Sequence, residues 1–147
     1  MLKKQDARVE KLAGVSLFRG CSQSELKALA GITTEVDAPA GKVLCQEGKS
    51  GAECFVVIEG EAAVTIGGDD VTTIGPGGFF GEMALLDGGP RVATVTATTD
   101  MRLLSLSRGE FTTLLADVPS VSRKMLEALG ARLRVADAQL HPSHVGI

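Results

Sequence analysis

Between Ile32 and Leu106 the chain alternates short runs of β-favouring residues with turns rich in glycine. The most strongly β-favouring run is Cys54–Ile58, and the clearest break is Gly75–Gly78. The other predicted strands are Ile32–Val36, Lys42–Cys45, Ala62–Ile66, Val71–Ile74, Val92–Thr98 and Met101–Leu106. Many short strands at this spacing are typical of an antiparallel sandwich or jelly roll. We therefore predict a mainly β fold with flanking helices.

Helical patterns flank the β region on both sides. Ser22 with Glu25, and Ser107 with Glu110, have the spacing of a capping box, which marks a helix start. Gly31 can end the first of these helices. After Ser107, one short helix and one long helix are predicted.

The long helix is predicted over 120–139. Apolar residues recur three or four positions apart, close to a heptad, at Leu126, Leu129, Leu133, Ala136 and Leu140. Gly130, in the middle, costs about 1 kcal/mol relative to alanine. The stripe is most simply a core-facing one, and a homodimer through this C-terminal helix is the alternative.

The length and charge limit the function. A chain of 147 residues suits one domain. Its formal charge of −3 and its lack of Trp and Tyr argue against direct nucleic-acid binding, which favours basic stripes or aromatic platforms. No apolar run is long enough to span a membrane. Three cysteines without metal-type spacing predict reduced thiols in a cytoplasmic protein, with Cys54 packed in the core.

The stretch 80–95 combines features that favour an anion. A short helix-forming run, Glu82–Leu86, follows Gly81, and Pro90 then precedes Arg91. The first N–H groups of a helix are unsatisfied, and an arginine presents a planar fork to phosphate oxygens. We therefore predict a small anion pocket in this loop.

Glu82 narrows the choice of anion. A carboxylate beside a phosphate is tolerable if it accepts a hydrogen bond from a ligand hydroxyl, or if it pairs with Arg91. A 3′,5′-cyclic nucleotide has one phosphate charge and one free 2′-hydroxyl, which match Arg91 and Glu82. The alternative is a surface salt bridge between these two side chains. An acid–base pair of Glu82 with Asp87 lacks a metal or nucleophile, and His141 with His144 is at most half a metal site.

The order of the residues adds a resemblance. The runs Phe80-Gly81-Glu82-Met83-Ala84-Leu85-Leu86 and Pro90-Arg91-Val92-Ala93-Thr94-Val95 resemble the phosphate-binding cassette of the cyclic-nucleotide-binding domain family, of the catabolite activator and protein kinase A regulatory type. The runs 17–26 and 54–60 are similar to that family's first helices and central strand. The resemblance covers nearly the whole chain and implies an antiparallel jelly roll, or double-stranded β-helix, with a short phosphate-binding helix and a C-terminal helix.

The resemblance implies a role for each cassette residue. Glu82 would bind the ribose 2′-hydroxyl and Arg91 the cyclic phosphate, with Gly81 allowing close approach. The backbone N–H groups of Ala84 and Val92 would add phosphate contacts, and Met83 and Ala93 would complete the ligand-binding set. Ala93 stands where cGMP-selective members often have threonine, so cAMP is favoured over cGMP. No cofactor and no metal are expected.

The sequence departs from the family in two respects. Members of the kinase type often cover the base with an aromatic side chain, but Phe111 is the only aromatic residue after Ser107. The resemblance then leaves an aliphatic base lid, for which the candidates are Leu129, Leu133 and Arg134. The family's usual effector, such as a DNA-binding domain, is also missing, so either the chain is a fragment or its output is a contact with an unidentified protein partner.

These observations predict a non-enzymatic cAMP sensor in a single domain of 1–147. Its expected parts are N-terminal helices at 1–31, a β-roll at 32–106, C-terminal helices at 107–140 and a tail at 141–147. Binding is expected to move the chain after Leu106 and to close the long helix over the base, with Gly130 as a bending point. The alternatives are a ligand-free interaction or dimerisation module and, far behind, a cupin-like enzyme.

Overall fold

A computed structural model describes residues 4–140 of the chain. Within that range, the strands form two four-stranded sheets in which every paired strand is antiparallel. The first sheet has the order β1 (Thr34–Ala38), β8 (Met101–Ser107), β3 (Glu53–Glu59) and β6 (Phe79–Phe80). The second has the order β2 (Val43–Cys45), β7 (Thr94–Ala97), β4 (Ala62–Ile66) and β5 (Asp69–Ile74). The prediction of a mainly β, antiparallel jelly-roll fold with flanking helices is confirmed.

Helices precede, interrupt and follow the sheets. They are α1 (Lys4–Ala13), α2 (Gln23–Ile32), α3 (Glu82–Asp87), α4 (Arg108–Asp117) and α5 (Pro119–Leu140), with one 3-10 turn at Ser16–Phe18. Both predicted capping boxes form, at Ser22 with Glu25 and at Ser107 with Glu110. The predicted tail at 141–147, including His141 and His144, lies outside the described residues.

The end of α2, the start of β5 and the presence of β6 differ from the prediction for local reasons. Helix α2 runs past Gly31 to Ile32 because Thr33 caps it with hydrogen bonds from its backbone N and its Oγ1 to Leu29 O. Strand β5 begins at Asp69 because Gly67 and Gly68, both at positive φ, complete the hairpin turn by themselves. Strand β6 was not predicted, since a two-residue strand carries no periodicity of its own.

The start of β7 also differs from the prediction. The predicted strand 92–98 begins only at Thr94. Arg91 instead pairs with a different loop, since its N donates to Lys49 O (2.7 Å) and its O accepts from Gly48 N (2.8 Å). Val92 and Ala93 therefore lie outside the sheet, where they line a cavity between the second sheet and α5.

Strand β3 is buried on both of its faces. Phe55 and Val57 belong to a core cluster between the sheets, whereas Cys54 and Val56 belong to a second cluster beneath the helices. This explains why the run reads as continuously apolar rather than alternating. Leu85 of α3 belongs to the second cluster, which anchors α3 beside β3.

The cysteines at 21, 45 and 54 are free thiols. Burial raises the pKa of the Cys54 thiol to about 12, so this residue is a core side chain. None of the helices that the structure describes is long and apolar enough to span a membrane.

Candidate functional site

A cavity of about 770 Å³ lies between the second sheet, α3 and α5. Its volume is in the range of small-molecule sites. All seven residues predicted to bind the ligand line it, namely Gly81, Glu82, Met83, Ala84, Arg91, Val92 and Ala93. The structure therefore brings the two halves of the cassette to one wall of a single cavity.

Arg91 is a buried cation held by backbone carbonyls. Its residue is 7% exposed, and its guanidinium donates from Nη1 to Gly81 O (3.0 Å) and from Nη2 to Glu53 O (2.7 Å). No carboxylate of the described residues lies within 4.0 Å of this guanidinium. Three of the five N–H groups of an arginine are thus left for another acceptor.

Glu82 is buried even more completely, with 3% of the residue exposed. Burial raises the pKa of its carboxyl, while its own backbone N–H, Arg132 and Arg91 act in the opposite direction. Its ion pair is with Arg132, whose Nη1 lies 3.1 Å from Glu82 Oε1. The alternative of a surface salt bridge between Glu82 and Arg91 is wrong, because both residues are buried and they are not paired with each other.

Two glycines leave room for the Arg91 side chain. Gly81 has a φ of 87°, and a Cβ there would lie 2.7 Å from Arg91 Nη1. A Cβ at Gly51 would lie 2.3 Å from both Cζ and Nε of Arg91. The sequence points to Gly81, whereas Gly51 is simply one of the glycines between the predicted strands. Nothing in the sequence places it against a residue forty positions later.

Helix α5 faces the cavity with a different set of residues from the predicted lid. Its lining residues follow a helical spacing of three and four, at Arg132, Val135, Ala136 and Gln139. Of the three predicted lid residues, Leu129 packs against the core beneath the helices, and Leu133 and Arg134 are exposed. The latter two follow Arg132 by about 100° and 200° around the helix, so they point away from the lining face.

Arg132 fastens α5 to the cavity wall. Besides its contact with Glu82, its Nη2 donates to Phe79 O (3.0 Å), and its guanidinium lies 4.7 Å from the centroid of the Phe79 ring. Arg132 is not among the residues predicted from the sequence, because the prediction for this helix followed the leucine spacing rather than the charges. An arginine in the helix expected to close on the base was the available signal.

Metal-ligating side chains do not gather within residues 4–140, where no group of three or more His, Cys, Asp or Glu has suitable geometry. Asp87, the other member of the acid–base pair considered from the sequence, ends α3 and accepts from Gly89 N at 2.8 Å. It is not among the residues that line the cavity. The chemistry of the cavity is therefore that of two arginines, one buried carboxylate and a largely apolar lining that also includes Thr72, Thr73 and Gln139.

Comparison with known proteins bears on the family of this chain. The sequence profile of the cyclic nucleotide-binding domain matches residues 35–118. A CRP-like cAMP-activated global transcriptional regulator of Mycobacterium tuberculosis is 32% identical over 130 residues, which cover 85% of this chain and 58% of that protein. A cyclic nucleotide-gated potassium channel of Mesorhizobium japonicum is 37% identical over 124 residues, which cover 82% of this chain and 34% of the channel.

A solved structure shows the same fold. The catabolite activator protein of Thermus thermophilus superposes with a TM-score of 0.74 at 32% identity, over 84% of this chain and 61% of that one. The chain thus spans between about a third and three fifths of the length of these relatives. Since they include a transcriptional regulator and a channel, the absence of nucleic-acid and membrane contacts stays a prediction.

The family itself is shown by the agreement of three findings. The matched profile covers more than half of the 147 residues. The fold agrees with that of a catabolite activator protein, and the cassette residues line one cavity. The resemblance seen in the sequence is confirmed, and the chain belongs to the cyclic nucleotide-binding domain family.

Proposed function

We propose that this domain is a regulatory sensor that binds a 3′,5′-cyclic nucleotide, with cAMP as the preferred ligand. The observation that carries the proposal is the buried Arg91 guanidinium, which is held by carbonyl oxygens and has no carboxylate partner among the described residues. A buried charge without a counter-charge is costly. A phosphate in the cavity supplies that counter-charge and accepts the remaining N–H groups.

The ribose would account for Glu82. A buried carboxylate with only one arginine partner retains acceptor capacity, which a ligand hydroxyl can use. The 2′-hydroxyl is the free hydroxyl of a 3′,5′-cyclic nucleotide. A nucleotide in this cavity therefore has a partner for its phosphate at Arg91 and a partner for its sugar at Glu82.

The base is proposed to be adenine. The methyl group of Ala93 offers no hydrogen bond to guanine, and Val71, Ile74 and Val135 add apolar side chains to the same lining, beside Thr72 and Thr73. Binding of cGMP at lower affinity is compatible with the same cavity, because the phosphate and sugar contacts are common to both ligands.

The signal is proposed to pass through α5. Arg132 of α5 contacts the carboxylate that would receive the ligand hydroxyl. Beyond Leu129, every side chain of α5 through Ala136 is exposed, so this contact is a major tie between that half of the helix and the domain. A ligand that changes the bonding of Glu82 therefore changes how α5 is held, and a protein partner would detect that change.

Calorimetry with cAMP, cGMP and AMP tests the binding proposal. We expect micromolar or tighter binding of cAMP, weaker binding of cGMP, and no comparable binding of AMP. Arg91→Met keeps the apolar stem but removes the charge, and it should abolish detectable binding. Arg123→Met is the matched control, since Arg123 is exposed and, among the residues that the structure describes, its ion pair is with Glu127 on α5. Failure of the wild-type protein to bind any of the three ligands would contradict the proposal.

The proposed sensor has no catalytic step. Cyclic nucleotide incubated with the protein should be recovered unchanged, which chromatography of the mixture can check. Formation of AMP or GMP above the rate in buffer would overturn this part of the proposal without affecting the binding measurement.

A second candidate function is dimerisation through α5. Leu126 and Leu133 lie seven positions apart and are 68% and 70% exposed, so this part of the stripe does not face the core. Sedimentation with and without cAMP measures the oligomeric state. A dimer that Leu126→Gln and Leu133→Gln together convert to monomer would support the second function, and a wild-type monomer at all concentrations would exclude it.

A further inference from the structure

A side chain of α4 contacts the end of α3 without lining the cavity. Arg108 is the first residue of α4, and its Nη1 donates to Leu85 O of α3 at 2.7 Å. Its Nη2 lies 3.4 Å from Ala84 O. The last carbonyls of a helix have no partners within it, and a cation at that end is favourable. Arg108 thus holds the C-terminal end of α3, opposite the end that begins at Gly81.

Arg108 is itself held firmly at its backbone. The capping box fixes the first turn of α4, with Glu110 N donating to Ser107 Oγ (3.2 Å) and Ser107 N donating to Glu110 Oε1 (2.8 Å). Ser107 is also the register partner of Glu53 on β3, whose carbonyl accepts from Arg91. Arg108 therefore follows directly on the strand pair that supports the buried Arg91.

Helix α4 is in turn connected to α5. Val118 N donates to Leu114 O at 3.0 Å, and Ser122 Oγ donates to Leu115 O at 2.9 Å across the junction between α4 and α5. Phe111 and Leu114 pack in the same core cluster as Leu85. Arg108 and this shared core cluster therefore connect α3 with α4.

We propose that Arg108 is a positioning residue of the ligand site, which holds α3 in place for the ligand and transmits movement of α3 to α4 and α5. This inference rests on the proposed function, because it assigns Arg108 a role in binding a cyclic nucleotide that it does not touch. Glu82, Met83 and Ala84 line the cavity and belong to the helix that Arg108 holds. Loss of the two bonds frees the far end of that helix.

The test compares Arg108→Met and Arg108→Lys with the wild-type protein. Methionine keeps most of the stem and removes the donors, whereas lysine keeps the charge but not the fork. We expect Arg108→Met to weaken cAMP binding about tenfold, in line with the loss of a charge-assisted hydrogen bond. Arg108→Lys should recover part of that loss, and it carries the test if the methionine variant does not fold.

Lys124→Met is the control for a merely structural effect. Lys124 donates to Arg19 O and so ties α5 to the turn after the 3-10 helix, away from α3. Its loss should lower the melting temperature but leave the affinity for cAMP within about twofold of wild type. A twofold change corresponds to a few tenths of a kcal/mol in binding free energy. Amide exchange gives the second readout, because the change that cAMP produces in residues 119–139 should be less than half as large in Arg108→Met.

Two failures are distinguishable. Wild-type protein that binds cAMP, together with an Arg108→Met variant that binds equally well and shows the full exchange response in α5, overturns the positioning role alone. Wild-type protein that binds no cyclic nucleotide overturns the proposed function and this inference with it.

Discussion

Gly51 determines how closely the backbone approaches the Arg91 guanidinium. A methyl group at this position would overlap Cζ and Nε of Arg91, so Gly51→Ala must displace the arginine or the loop. We expect at least a tenfold loss of cAMP affinity, and a loss of about 1–3 kcal/mol in the free energy of unfolding from overpacking. Calorimetry and urea unfolding measure the two effects.

Gly31→Ala is the matched control for that substitution. A Cβ at Gly31, in the last turn of α2, has no neighbour within 4 Å, and this glycine does not have a positive φ. It should bind cAMP as the wild type does. Equal affinities of all three proteins would show that Gly51 has no part in placing Arg91.

The buried carboxyl of Glu82 predicts a pH dependence of stability. Its pKa in the folded protein is raised, mainly by burial, so the folded chain binds this proton more tightly than the unfolded chain. The resulting stabilisation is complete below the unfolded glutamate pKa of about 4.3 and is lost as the pH rises through the raised value.

Comparison with Glu82→Gln isolates that dependence. The free energy of unfolding of the wild-type protein, relative to the variant, should fall as the pH is raised from about 4. Urea unfolding at a series of pH values gives the difference. A difference that is constant with pH, or that grows with pH, would contradict the predicted direction.

At the scale of elements, α5 depends on one side chain for much of its contact with the cavity wall. Arg132→Met removes the bonds to Glu82 and Phe79 O, so amides 130–139 should exchange faster in the absence of ligand. Arg134→Met is the matched control, since Arg134 is exposed and does not line the cavity. Unchanged exchange in the Arg132 variant would mean that α5 is held by other contacts.

Elements whose signals are local could be predicted from the sequence. The two capping boxes formed as expected because each involves residues three positions apart. The face of α5 that meets the cavity could not be predicted in the same way. The leucine spacing fixes which residues share a face, but contacts with Glu82 and Phe79, about fifty positions earlier, determine which face is turned inward.

The same distinction applies to the candidate site. The cassette residues are contiguous in two short runs, so their order alone carried the resemblance from which they were predicted. Gly51, Arg108 and Arg132 belong to three other segments and lie against cassette residues in the folded chain. These contacts follow from the way the sheets and helices are assembled, which no short stretch of sequence encodes.

For the whole molecule, ligand binding should raise the thermal stability. A ligand that binds only the folded state at one hundred times its dissociation constant adds about 2.7 kcal/mol. For a domain of this size, that corresponds to a rise in melting temperature of roughly 5–10 °C. Thermal melts with cAMP measure it, while AMP at the same concentration and the Arg91→Met variant should give no shift.

The buried guanidinium of Arg91 also bears on how the domain behaves in ordinary solutions. Because it has no carboxylate partner within residues 4–140, it should attract small oxyanions that can enter the cavity. Inorganic phosphate and sulfate should therefore act as competitors, and the apparent affinity for cAMP should be weaker in phosphate buffer than in a zwitterionic buffer of equal ionic strength. The cAMP concentration that half-saturates the domain should then depend on the concentration of inorganic phosphate and sulfate in the solution.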